Sequence, residues 1–343
     1  MMTQHQRSWL ENEDRFIPAE KQVAQLIDLL NDRGINIHYL LRKTAIFHED
    51  ILAGSLAINA RQFARLCSNV SQLHRERDIS FLFGQRMLPG IFEQYSHLLN
   101  HGADLKTVLQ HLCEEYTVYF PLLKPRIQLS ESHCHLLFED PFGESERFSD
   151  VILQQAYFRL LIEMQVTAII SYCNWRAGRR LAWKVNVSYT EPDWLEQYEV
   201  FWQAKVNFAQ PYCSLSIELG QLDQPFPISS ATIYQLAQKH LEKSKMADRS
   251  EPLLSMIRAM LRRDFTQHPT LEQVATTLQI SVATLKRKLK AHHYSYRQLH
   301  DEVRQQQAFF LKTEWGYNDE ALAQKMNFFD VSNYRRALRR WLK

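Results

Sequence analysis

Twice in the last quarter of this 343-residue chain, a short apolar-faced helix, a tight break and a second helix crowded with lysine or arginine follow one another. The first copy runs from Thr270 to Lys290. Leu271, Val274, Ala275 and Leu278 recur at the i, i+3, i+4, i+7 spacing of one helical face. Thr270 and Gln273 form the capping box that starts it. After Gln279, Ile280 and Ser281 the chain can start again with Ser281 as cap, and in this second helix Leu285 and Leu289 face inward while Lys286, Arg287, Lys288 and Lys290 face out. A helix pinned by two leucines and covered in positive charge has the profile of the second helix of a helix-turn-helix, the one that enters a DNA major groove.

One such pair is weak support, because a short amphipathic helix with lysines outside is equally a solvated surface. The second copy changes the weighing. Asn318 to Met326 turns Leu322, Ala323 and Met326 inward, residues 327–330 form the break, and Val331 to Trp341 buries Tyr334, Leu338 and Trp341 while exposing Arg335, Arg336, Arg339 and Arg340. Between the copies one helix is expected over Ser295 to Thr313, about 28 Å long at about 1.5 Å per residue. That length suits two reading helices set near the roughly 34 Å of one DNA turn. The spacing points Ala283, Lys286 and Arg287, then Ser332, Arg335 and Arg336, into the groove, with Thr284, Lys290, Asn333 and Arg339 completing the candidate surface for double-stranded DNA.

These residues resemble the AraC/XylS type of bacterial transcription regulator. The likeness rests on Leu271, Glu272, Val274, Ala275, Ser281, Thr284, Leu285 and Arg287, on Arg304, Ala308 and Leu311 of the connecting helix, and on Leu322, Ala323, Phe328, Asp330, Ser332, Arg336, Ala337, Arg340 and Trp341. It covers residues 251–343. The sequence departs from the family pattern at Asn327, where Gly is favoured, and at Phe329, where a small polar residue is usual; no Gly and Pro follow Trp341. Asn tolerates the left-handed backbone better than most residues. The resemblance implies a regulator that reads DNA with its C-terminal region and works with RNA polymerase.

Charge divides the chain in the same place. Residues 251–343 hold 16 Lys and Arg against 9 Asp and Glu, leaving 25 against 29 in residues 1–250. A basic end on a slightly acidic body points to nucleic acid at that end. The chain is 45% hydrophobic and 23% charged, which is globular composition. The five cysteines, Cys67, Cys113, Cys134, Cys173 and Cys213, are scattered and read as buried thiols in a reducing compartment. Gln4, His5, Gln6 and Arg7 do not make the apolar core of a signal peptide, and no run of 18 apolar residues occurs, so a cytoplasmic protein without a membrane segment is expected.

The rest of the chain opens with helical stripes at Val23, Leu26, Ile27 and Leu30, near Leu40, and from Asn59 to His74. Glu93 to Asn100 and Leu105 to Tyr119 are further helices. A strand pair is expected at Ile127 to Leu129 and Leu136 to Phe138, turning near Glu131 and Ser132. Asp150 to Trp175 is the longest helix, with Ile152, Ala156, Leu160, Met164 and Ala168 inward. Leu181 to Tyr189 and Tyr212 to Leu219 alternate as strands, and Ile233 to Lys245 is helical. The fold class is thus mainly α with a smaller α+β part: a mixed N-terminal effector or dimerisation domain over residues 1–235, a linker over 236–250, and an all-α C-terminal domain over 251–343 in which a long helix joins two helix-turn-helix units. A fragment beginning near Glu251 is expected to bind DNA alone.

Residues 1–235 are also similar to the arabinose-binding-type N-terminal domain of one branch of these regulators, through Arg33, Gly34, Ile35, Gln62, Phe63, Phe83, Gly84, Leu88, Pro89, Gly90, Leu222, Asp223, Pro225 and Pro227. This implies effector sensing or homodimerisation and carries over no sugar-binding residue. No phosphate-cradling glycine motif and no nucleophile elbow occur, so no catalytic residue and no cofactor is assigned. His133 and His135 would share one face of a strand, but two ligands do not make a metal site. His292 and His293 are expected to line DNA or face solvent. Trp194, Tyr198, Phe201, Trp202, Phe208 and Tyr212 can be either core or the wall of a pocket for a small apolar or weakly anionic effector. Two alternatives stay open: a DNA-modifying or repair enzyme using the same reader, which needs a nucleophilic cysteine, and an N-terminal region that only dimerises.

Overall fold

The computed structural model describes residues 9–73, 77–244, 250–264 and 268–341. The expected helix ends at His74 and Lys245, and residues 245–249 of the linker, lie outside the described residues; residues 236–244, expected as linker, are the end of the helix Ala231–Ser244, whose Ala237 and Leu241 are buried against Leu98. By packing, the chain divides into two compact units. Among the described residues one comprises 9–11, 141–147 and 250–341, and the other the remainder.

The larger unit is built around the helix Val151–Ala177. Asp150 starts it by accepting from the Ile152 and Leu153 amides, and Gly178, in the left-handed region at φ 64°, ends it. Leu160 to Ile170 is buried on every side, the polar Glu163, Gln165 and Thr167 included. The single stripe expected from the sequence is therefore corrected at its start: Ile152 is 76% exposed, and Ala156 is only half-buried. Helices Ala60–Ser71, Ile79–Met87 and Leu195–Trp202 pack on this core helix. Gly84 sets the closest approach, since a Cβ there would stand 2.4 Å from the Met164 carbonyl oxygen and 2.8 Å from Thr167 Cβ.

A five-stranded sheet completes the unit, in the order Lys124–Leu129, His133–Glu139, Ser214–Glu218, Lys184–Asn186, Lys205–Asn207, antiparallel except for the last pair. The hairpin forms where its turn residues stand, Leu129 pairing with Cys134 across residues 130–133, with the Ser130 amide donating to the His133 carbonyl. The alternation over Leu181 to Tyr189 overstates its strand, of which only Lys184–Asn186 pairs. Arg15–Pro18 pairs with Ala57–Asn59 in a separate two-stranded ribbon.

The smaller unit is helical apart from one short parallel bridge, Trp9–Leu10 against Glu251–Pro252. Trp9, only 5% exposed, joins Leu253, Leu254, Ile257 and Leu261 of the helix Leu253–Arg263 and the apolar faces of the first helix pair in one core. A second core gathers Ala308, Leu311, Leu322, Ala323, Met326 and Tyr334. The helix Tyr296–Glu314 supplies residues to both cores, Leu299 and Val303 to the first, Ala308 and Leu311 to the second, so the two helix pairs are mounted on one rod.

Candidate nucleic-acid interface

Each helix pair is fixed by caps that lie within a few residues of what they cap. In the first, the Thr270 hydroxyl accepts from the Gln273 amide and the Gln273 side chain accepts from the Thr270 amide, starting Leu271–Thr277. Gln279 turns the chain at φ 55°, and Ser281 accepts from the Thr284 amide at 3.1 Å to start the reading helix Val282–Ala291. In the second, Asn318 caps Asp319–Lys325, Asn327 turns at φ 53°, and Asp330 accepts from the Asn333 amide at 2.6 Å at the head of Val331–Trp341. The two breaks share one geometry, a left-handed residue three or four positions before the new helix, with Asn327 standing where Gly would be unstrained.

The buried face of the first reading helix is Leu285 and Leu289; that of the second is Tyr334 and Ala337, with Leu338 and Trp341 partly covered. On the opposite faces Ala283, Lys286, Arg287 and Lys290, then Ser332, Arg335, Arg336 and Arg339, are exposed, while Thr284 and Asn333 are half-buried. Thr284 shares a 2.9 Å hydroxyl contact with Ser281. These arginines are not equivalent. Arg335 bonds Asp319 at 2.8 Å, and Arg340 bonds Asp301 at 2.6 Å, whereas Lys286, Arg287, Lys290, Arg336 and Arg339 make no ion pair among the described residues. Arg304, on the rod, donates to the Met326 carbonyl at 2.8 Å and stacks on Phe328 at 4.1 Å, so it buttresses the second break from behind.

Two sequence expectations are corrected here. Lys288 does not face out: it pairs with Glu11 and lies over the Trp9 ring at 5.6 Å. His292 is fully buried, its Nδ1 2.8 Å from the Phe142 carbonyl, while His293 is exposed. Neither the Glu11 nor the Phe142 contact could be found from spacing, since the partners lie 277 and 150 residues away.

In the larger unit, the aromatic stretch divides. Tyr198 and Trp202 are buried and interlocked with Phe81, at ring separations of 5.1 and 5.9 Å, and Trp202 donates to Thr167 at 2.8 Å. Phe201 stacks on Phe81 at 5.2 Å, and Phe208 meets Tyr198 at 5.5 Å. Trp194 and Tyr212 are half-buried. Beneath them Glu163 is buried, accepts from Ser80 at 2.5 Å and from Tyr198, and is pushed up to about 7, chiefly by burial. A cavity beside Phe63, Met87, Phe120, Met164 and Gln165 has room for about one water. His135 is buried beside Ser130, 6.0 Å from His133 between ring centres, and no cluster of three metal-ligating side chains occurs among the described residues. The cysteines carry no disulfide; burial pushes Cys67 and Cys113 up to about 12 and Cys134 to about 11, the reverse of what a nucleophile needs. No helix among the described residues is long and apolar enough to cross a membrane.

Residues 34–226, more than half of the chain, match the arabinose-binding domain of AraC transcription regulators, N-terminal. The ornithine utilization regulator of Pseudomonas aeruginosa is 23% identical over 320 residues, which span 92% of this chain and 91% of that protein. An uncharacterised HTH-type transcriptional regulator of Mycobacterium bovis, Mb1430, is 23% identical over 137 residues, 40% of each chain. Among solved structures, the transcriptional regulator CdpR from Pseudomonas aeruginosa aligns over 93% of this chain and 94% of its own with a TM-score of 0.43 and 16% identity. The chain belongs to the AraC family of transcription regulators that carry this N-terminal domain.

Proposed function

We propose that the two reading helices enter adjacent major grooves of one double-stranded operator. In this reading Ala283, Lys286 and Arg287 meet base edges in the first groove, and Ser332, Arg335 and Arg336 in the second. Thr284, Lys290, Asn333 and Arg339 flank them toward the phosphates. The observation that carries it is the set of exposed cations with no ion pair among the described residues, Lys286, Arg287, Lys290, Arg336 and Arg339, on two helices whose other faces are core. An arginine with no carboxylate partner has both ends of its fork available for guanine. Arg335 must exchange Asp319 for DNA.

The N-terminal unit binds a small effector that biases this reader, with homodimerisation as a second role of the same unit and RNA polymerase as the partner at the promoter, in the cytoplasm. A ligand can shift the DNA-competent population only by its differential affinity for the two states. Of the aromatic residues expected to line the effector site, Tyr198 and Trp202 act in this reading as the packing that fixes Leu195–Trp202 to the core helix. Trp194 offers an indole N–H with no acceptor among the described residues. A repair or modifying enzyme is not favoured, because the cysteine it would need is buried and held protonated. Sequencing the DNA fragments retained by the full-length protein tests the reading: enrichment of a motif with two blocks about one helical turn apart is expected, and recovery of unenriched fragments refutes it.

A further inference from the structure

We propose that Arg159, together with Trp194 and Arg77, forms a binding site for a small organic carboxylate in the N-terminal unit. The inference rests on the effector reading above and names its ligand class. Arg159 lies on the core helix, half-buried, with its guanidinium carbon over the Tyr189 ring at 5.0 Å and over the Trp194 ring at 5.2 Å. Arg77, exposed, lies over the same indole at 4.7 Å. Neither arginine makes an ion pair among the described residues, so two guanidinium groups converge on one tryptophan, and the carboxyl that feels the Arg159 charge, Glu163, is buried.

The donors at this point are unspent as well. Arg159 Nε and Trp194 Nε1 are both shielded from solvent, and neither has an acceptor among the described residues. Buried N–H groups in native proteins nearly always have a partner, because leaving one unpaired forfeits its hydration. The nearest carboxyl by sequence, Glu163 one helical turn on, is already committed to Ser80 and Tyr198. What the cluster lacks is therefore an acceptor from outside the chain that carries negative charge. A carboxylate has two oxygens in the plane of the guanidinium fork and can engage the indole N–H beside it. A neutral carbonyl would satisfy a donor and leave the charge unmatched.

Isothermal titration calorimetry of the full-length protein with hexanoate and phenylacetate decides it, run against hexanamide, phenylacetamide, inorganic phosphate and chloride at equal ionic strength. At least one carboxylate is expected to bind about tenfold or more tightly than its amide and than phosphate, a difference of about 1.4 kcal/mol. Arg159→Gln should remove that preference, and Arg159→Lys, which keeps the charge and loses the fork, should retain part of it, both with unchanged far-ultraviolet circular dichroism. Equal binding of acid and amide, no heat above chloride from either acid, or phosphate binding as tight as the carboxylate overturns the assignment. The two readings fail separately. If a small-molecule extract changes DNA affinity equally in wild type and Arg159→Gln, effector control stands and this site falls. If Arg159-dependent carboxylate binding leaves DNA affinity unchanged, the site stands and its regulatory role falls.

Discussion

Single side chains divide the reading surface into contacts that are free and contacts that must be traded. Arg287 and Arg336 are exposed with no ion pair among the described residues, and a bidentate arginine contributes about 1 to 3 kcal/mol of discrimination at a guanine. Arg287→Ala and Arg336→Ala should each relax preference at one or two base pairs of the operator in a binding-site selection; equal weakening on every sequence would assign that residue to a phosphate instead. Glu163 gives the clearest pH dependence. Its carboxyl rises from an ordinary 4.5 to about 7, burial outweighing the Ser80 and Tyr198 hydrogen bonds and the Arg159 charge that pull it down. The folded chain holds this proton more tightly than the unfolded one. The group's stabilisation is therefore full below about 4.5, declines as pH rises toward 7 and is gone above it, a difference of about 3 kcal/mol by linkage. Urea titrations of wild type and Glu163→Gln from pH 5 to 8 should show a slope in the first that is missing in the second. Residues whose partners are local were legible in the sequence: Thr270 with Gln273, Ser281 with Thr284. Lys288 was not, because a lysine on a basic helix reads as exposed until Glu11 and Trp9 arrive from the other end of the chain.

Helices and strands were legible to the extent that their period is unambiguous. The amphipathic helices of the reader are; Val151–Ala177 is not, since a helix surrounded by protein has no polar face to set its phase, and its first turns project away from the core. The Lys184–Asn186 strand is shorter than its alternation because beyond Asn186 the backbone leaves the regular ladder, Val187 and Tyr189 bonding instead to the loop at Asn207, Ala209 and Gln210. Two packing predictions belong at this scale. Gly84→Ala places a methyl against the Met164 carbonyl, which is backbone and cannot rotate aside; overpacking of this kind costs typically about 1 to 3 kcal/mol and here should reach the upper end or beyond. A loss of unfolding free energy below about 1 kcal/mol would mean that Ile79–Met87 slides without penalty. Trp9→Ala removes a large side chain from the first core of the reader and should cost about 3 to 5 kcal/mol. Urea titration of full-length protein, followed by retained DNA binding, measures it. The same residue bears on the fragment beginning at Glu251, which would lack Trp9 and residues 141–147 and should be less stable than the intact unit.

At the scale of the whole molecule, the charge asymmetry and the two functions coincide, and this much is readable from composition. The exposed cations without ion pairs should give DNA binding a log–log salt slope of roughly −3 to −5, at about 0.9 per neutralised phosphate. Filter binding across a series of salt concentrations checks it, and a flat response would contradict DNA binding through this face. The path of the chain was not readable: the DNA-binding unit draws residues 9–11, 141–147 and 250–341 from three places, and no local pattern announces that Trp9 belongs with Leu253. That path sets an order of events on the ribosome. Trp9–Leu10 leaves the exit tunnel about 240 residues before Glu251–Pro252, its strand partner among the described residues. At about 5 to 20 residues per second that interval is roughly 12 to 50 seconds. Throughout it the N-terminal segment is a tryptophan-bearing strand without its mate, while the larger unit can already condense around residues 12–140 and 148–244. The reader is the last part of the protein to become whole, so a nascent chain acquires its sensor well before it can occupy a promoter.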